Sequence, residues 1–284
     1  MFRQFETSLR AKRIVLFFLY VLISVYIFAL LALGFKISWE ISLTPILTFS
    51  FFIFPVFFSS QLEQWIKVLA FCVLAIYTGL LFESIGVFTG LIYGPYHYTD
   101  QLGNKFLGLV PFLIPAAWMV MTYPSMVIAK VLIPTTWSGT KRMFSIAALS
   151  GVIMTAWDVV MDPMMVLRGN WVWEVRGAYF GIPLMNFLGW WATTFAVVLL
   201  FLSITQKMPV TVPIISDRWA VIVYCFFGLV SLVTCLLIQL ERAALAGLIA
   251  MLPWMVLGWW KTSQEKYSGG YYAASHEENF PVSK

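Results

Sequence analysis

Apolar runs of about twenty residues thread this chain from end to end, and that is the length of helix needed to cross the ~30 Å hydrocarbon core of a bilayer. Charged residues make up only 11% of the 284, and hydrophobic ones 61%. Soluble domains carry about 25% and about 45–50%, so this chain has too little polar surface to cover a water-soluble globule. A single anchor with a soluble domain is excluded because the runs continue throughout. An outer-membrane barrel would show alternating segments of roughly ten residues. The fold class is therefore all-α, a polytopic integral membrane protein.

The runs lie near 14–34, 43–58, 66–85, 107–130, 143–162, 181–203, 219–240 and 243–260. These predict about eight transmembrane helices, or seven if the second (interrupted by Pro45 and Pro55) or the eighth (Pro253) does not cross. The first run is too long for a signal-peptide core and has no small-x-small cleavage site. Eight spans with the N-terminus inside put thirteen Lys and Arg on the inner side and five on the outer. That bias predicts cytoplasmic N- and C-termini. The domain reading is one helical transmembrane unit over 1–262, followed by a polar tail, 263–284, expected to lack regular structure.

Several chemistries are excluded by residue counts. Two histidines, His97 and His276, cannot supply the boxes of a diiron centre or a paired haem ligation. Cys72, Cys225 and Cys235 form no Cys-x-x-Cys pair, so zinc and redox-motif readings fail. No glycine-rich nucleotide-binding motif is present, and the net charge of +5 reads as loop basicity, not nucleic-acid binding. The expectation is no metal, no cofactor and no nucleic acid.

Two outer loops stand out, 86–106 and 163–180, both rich in aromatics and glycine. Tyr93, Tyr96 and Tyr98 crowd the first, and Trp171 and Trp173 the second. An interfacial aromatic belt would explain single residues. The glycines also permit tight turns that would fold the loops back as caps. A faint internal echo accompanies them. Glu83, an aromatic loop and a helix with Pro111 and Trp118 are followed by Asp158, an aromatic loop and a helix with Pro183, Trp190 and Trp191.

Carboxylates inside spans are expensive, roughly 2.5–3.5 kcal/mol at a helix centre on insertion scales, and few occur here. Glu83 lies near the outer end of its span. Asp158 and Asp162 are spaced i, i+4 and share a helix face, and Pro163 is expected to end that helix at Asp162. All three acids come out at similar depth beneath the two loops. Like-charged carboxylates in a low-dielectric site cannot all ionise cheaply, which leaves a protonated acid beside an ionised base. The purely structural alternative is that Asp158 or Asp162 pairs with Arg168 or Arg176 and ties down a loop. Acids walled by Trp and Tyr, with no cofactor motif, suit chemistry on an alkene through a carbocation, because aromatic faces stabilise a cation.

The residues Glu83, Gly86, Thr89-Gly90, Tyr93-Gly94, Tyr96, Tyr98, Val110-Pro111 and Trp118 form one set. Ala156-Trp157-Asp158, Met161-Asp162-Pro163-Met164, Trp171, Trp173, Gly177, Tyr179 to Pro183, Asn186 and Gly189-Trp190 form a second. Across them the sequence resembles the CruF-type membrane carotenoid hydratase family, over roughly 70–200. That family includes γ-carotene or lycopene 1′,2′-hydratases and bisanhydrobacterioruberin hydratases. The resemblance implies a multi-pass cell-membrane hydro-lyase that adds water to the terminal double bond of an acyclic (ψ) carotenoid end group without a cofactor. It implies a lipid-dissolved carotenoid and water as partners, with other carotenoid biosynthesis enzymes as candidate neighbours. On our reading of the residues, Asp158 is the proton donor and Asp162 or Glu83 orients the water. Tyr93, Tyr96, Trp118, Trp157, Trp171, Trp173 and Trp190 are candidates to hold the substrate, and Asn186 to hydrogen-bond the water or a carboxylate. A proton-coupled transporter and another acid-catalysed isoprenoid enzyme (a cyclase or isomerase) are the alternatives. A retinal receptor is not, because no lysine lies mid-span.

Overall fold

The computed structural model describes residues 65–137, 139–208 and 216–277, with scattered positions between Arg13 and Gly34. Where the first predicted span is described it is helical; the second, 43–58, lies outside the described residues. Among the described residues are six helices long and apolar enough to cross a membrane. They are α1 (Trp65–Thr89), α2 (Leu113–Leu132), α3 (Gly139–Leu167), α4 (Leu184–Thr205), α5 (Arg218–Leu237) and α6 (Glu241–Glu277). This is the all-α, multi-pass architecture that the apolar runs require. The last turns of α6 extend into the segment expected to lack regular structure.

The helices face two solvents. Leu69, Val73 and Tyr77 on α1, Leu188 and Leu200 on α4, and Leu245, Ile249 and Val256 on α6 are exposed, a surface that calls for hydrocarbon around it. α3 is the hub, packed against α2, α4, α5 and α6. Close approach to α6 depends on Gly247, where a Cβ would sit 2.3 Å from Val160 Cβ. From α5, the Tyr224 hydroxyl donates to the Ile153 carbonyl at 2.8 Å, and Ser231 Oγ accepts from Trp157 Nε1 at 3.2 Å.

Two expectations about helix ends are corrected. Pro163 does not end its helix: α3 continues to Leu167. Proline has no N–H to give the carbonyl four residues back, which here belongs to Val159. The Tyr179 hydroxyl, arriving from the second loop, donates to that carbonyl at 2.9 Å. Left unpaired, such a group costs about 1–3 kcal/mol, so the tyrosine substitutes for the missing rung. The helix expected from 107 instead begins at Leu113. Residues ahead of it form a hairpin whose tip holds Leu107 and Gly108 at φ 50° and 71°, left-handed positions at which a right-handed helix cannot start.

Four short strands build the end of the bundle where the acids lie: β1 (Tyr96–Tyr98), β2 (Lys105–Phe106), β3 (Val110–Pro111) and β4 (Trp171–Trp173). β2 and β3 are the hairpin. β1 and β4 pair antiparallel, with Tyr96 opposite Trp173, His97 opposite Val172 and Tyr98 opposite Trp171. The two aromatic loops thus close on each other as one cap. Successive strand side chains alternate faces. Tyr96, Tyr98 and Trp171 are buried while His97 and Val172 are exposed.

The internal echo has a structural counterpart. Glu83, Gly94, Tyr96 and Tyr98 recur as Asp158, Gly169, Trp171 and Trp173 at identical spacing. Gly94 and Gly169 both take positive φ, 99° and 69°. Val110-Pro111, Trp118 and Thr122 recur as Ile182-Pro183, Trp190 and Thr194, again at identical spacing. The register pairs His97 with Val172, which hold the same place in the two halves. A two-fold relation of α1–α2 to α3–α4 requires that pairing.

Candidate active site

Glu83 lies on α1, within two turns of its cap end, and is 3% exposed; Asp158 and Asp162 on α3 are 0% and 1% exposed, and Asn186 on α4 is 2% exposed. Carboxylates this deep in a membrane span must find donors or carry a cost of several kcal/mol. For Glu83 the cap and α2 supply them. Glu83 Oε1 accepts from Trp118 Nε1 at 3.0 Å, and its Oε2 accepts from the Tyr98 hydroxyl at 2.8 Å and from the Tyr96 hydroxyl. Burial holds both phenols well above the usual tyrosine range, with the nearby Glu83 charge acting in the same direction. They therefore stay protonated and act as donors.

The second half is provisioned differently. Asn186 sits in the first turn of α4, and its Nδ2 donates to Asp158 Oδ2 at 3.0 Å and to Asp162 Oδ2 at 2.7 Å. Trp171 Nε1 donates to Asp162 Oδ1 at 2.7 Å. One amide thus bridges the two aspartates that the i, i+4 spacing placed on one face. Asp158 Oδ1 is buried with no hydrogen-bond partner among the described residues. The expected structural alternative does not occur: among the described residues no ion pair joins Asp158 or Asp162 to Arg168 or Arg176.

Aromatic rings connect these groups. Trp118 and Trp190 meet with centroids 4.3 Å apart and planes tilted by 32°, and Trp157, next to Asp158 in sequence, meets Trp190 at 6.1 Å. In the cap, Tyr96 contacts Trp173 at 4.9 Å and Tyr98 contacts Trp171 at 5.7 Å. Such pairs add about 0.5–1.5 kcal/mol beyond the area they bury. Tyr93 is wedged between helices. A Cβ at Gly86 of α1 would sit 2.5 Å from its ring, and one at Gly189 of α4 would sit 2.4 Å away. Its hydroxyl bonds Thr193 Oγ1 at 2.7 Å.

All eleven candidate residues thus gather at one end of the bundle. His97 and Glu174, which share that end, lie on the outside of the cap, 3.5 Å apart and more than half exposed. Among the described residues no group of three His, Cys, Asp or Glu is placed to hold a metal ion. Sequence reasoning left Tyr98, Thr193, Ser231 and Tyr179 off the list of candidate residues. Tyr98 and Tyr179 carried a usable signal as members of the motif sets, and Tyr98 a second one: in an extended Tyr-x-Tyr both rings point the same way, so choosing Tyr96 implied Tyr98.

Membrane-length helices holding buried acids under an aromatic cap define a multi-pass membrane protein with an intramembrane acid site. The chain belongs to the carotenoid biosynthesis protein family, whose profile matches residues 40–253, and this bears out the resemblance read from the motifs. It is also 33% identical over 120 residues to a bisanhydrobacterioruberin hydratase of Haloarcula japonica, a match that covers 42% of this chain and 39% of that protein. No solved structure matches.

Proposed function

We propose that this protein is a carotenoid 1′,2′-hydratase, a hydro-lyase that adds water to the terminal double bond of an acyclic (ψ) end group. The observation that carries the reading is the acid pair under the aromatic cap, with one carboxyl oxygen, Asp158 Oδ1, unpartnered. The similarity to a protein named as a hydratase supports the same reaction class. Asp158 gives its proton to C2′, and the π electrons form the new C–H bond. The tertiary cation left at C1′ faces Trp118, Trp157 and Trp190, whose quadrupoles attract it. Water attacks C1′, forms the C–O bond and passes a proton to Asp162. Asn186 holds the two aspartates side by side, so that proton returns to Asp158 and the acid is regenerated. Nothing is oxidised or reduced.

The site's position suits such a substrate. A carotenoid is about as long as a bilayer is thick, so its end reaches an interface while the polyene lies along the helices. The basic residues Lys67, Lys130, Lys141, Arg142, Lys207 and Arg218 sit at the helix ends away from the cap. By the positive-inside rule that end is cytoplasmic and the cap faces outward, in what we take to be the cell membrane. Expression in a lycopene-producing host is expected to yield carotenoids heavier by one water per reacted end, read by mass spectrometry. Unchanged pigments would contradict the proposal, and so would isomers of unchanged mass, which an isomerase or cyclase would make.

A further inference from the structure

We propose that Glu83 is a fixed counter-charge, an anion set to stabilise the positive charge the reaction creates, and that proton transfer is confined to the Asp158–Asp162 pair. This rests on the hydration reading above. The two halves of the site share one residue spacing but hold different hydrogen-bond inventories. Glu83 accepts from Trp118, Tyr96 and Tyr98. An indole N–H can only donate, and both phenols stay protonated. Glu83 thus receives three donors, against one for Asp158 and two for Asp162, so of the three carboxylates it is the one whose surroundings best hold an anion. Asp158 and Asp162 share the single Asn186 amide, and Asp158 Oδ1 has no partner among the described residues. That half leaves one carboxyl oxygen open for the transferable proton, whereas both oxygens of Glu83 already accept.

A buried anion without a cation is costly, and among the described residues no Lys or Arg is ion-paired with Glu83. The missing positive partner is one that appears only during turnover. The rings make the connection. Trp118, bonded to Glu83, lies against Trp190, which meets Trp157 beside Asp158. The aromatic wall therefore runs from the acid to the anion, and a cation formed by protonation at Asp158 lies in the field of Glu83.

The test separates cation formation from water attack. Purified enzyme is given a ψ-end carotenoid in D2O. Hydration is measured alongside deuterium washed into recovered substrate, which marks cations that lost a proton before water attacked. Glu83→Gln is expected to lower both rates together, on the order of 10²-fold, with their ratio unchanged. Asp162→Asn is expected to lose hydration while wash-in persists. Tyr98→Phe, which keeps the ring and removes one donor, should show a smaller paired loss, and it serves where Glu83→Gln does not fold. Loss of hydration with wash-in retained in Glu83→Gln would make Glu83 the water base and overturn the proposal, as would wild-type rates in that variant. Sodium-dependent thermal stabilisation of the wild type, absent in Glu83→Gln, would identify a resident cation and overturn it too. Absence of both signals in the wild type defeats the hydration reading itself, and this proposal with it.

Discussion

Asp158→Asn is expected to lower carotenoid hydration by about 10²–10⁴-fold, the range for removing a positioned general acid, while the protein accumulates and purifies like the wild type. The substitution keeps the shape of the side chain, and the amide oxygen can still accept from Asn186. What it removes is the proton at Oδ1, the oxygen with no hydrogen-bond partner among the described residues. A merely structural carboxylate would behave in the opposite way, with loss of folded protein and activity per folded molecule largely kept. Pigment analysis normalised to folded protein, measured by size-exclusion chromatography in detergent, decides between them. Wild-type activity per molecule would remove Asp158 from the mechanism.

Gly177→Ala is expected to destabilise the protein by about 3 kcal/mol or more, beyond the usual range for overpacking, because the obstacle is backbone. A Cβ there would lie 2.0 Å from the carbonyl carbon and oxygen of Ile182 and 2.2 Å from Pro183 N. No side chain can move aside. Gly177 donates its N–H to the Gly181 carbonyl at 2.8 Å, and Tyr179 and Ile182 pair within the same turn. That turn delivers Tyr179 to the Val159 carbonyl and starts α4, so Asn186 shifts with it and activity falls as well. Gly108→Ala is the control. Its φ is 71° but nothing lies within 4 Å of the added Cβ, so only the left-handed penalty of about 1–2 kcal/mol applies. Thermal unfolding in detergent ranks the two. Equal shifts would mean that the 177–182 turn is not as tight as described.

Much of this was legible from local rules. Runs of span length dictate helices wherever the solvent is hydrocarbon, and the cost of buried charge singled out Glu83, Asp158 and Asp162. The i, i+4 spacing put Asp158 and Asp162 on one helix face, though not the single amide that bridges them. What escaped depends on partners distant in sequence. Pro163 looked like a helix end because the rule that places it there is local, whereas the tyrosine that replaces its hydrogen bond comes from the next loop. The cap was foreseen as two folded-back loops, but nothing in either loop alone specifies that Tyr96–Tyr98 pairs with Trp171–Trp173. The Tyr93 wedge depends on two glycines on different helices, each unremarkable in its own run. The hairpin at 105–111 hid inside an apolar stretch because composition cannot distinguish a short buried ribbon from the first turns of a helix.

Whether buried acids hydrate an alkene without redox chemistry is measured most directly with isotopes. Wild-type enzyme and a ψ-end carotenoid are incubated without oxygen in water carrying both deuterium and oxygen-18. One solvent oxygen at C1′ and one deuteron at C2′ are expected for each reacted end. Product lacking solvent oxygen, or no product until molecular oxygen is admitted, would contradict the hydration reading.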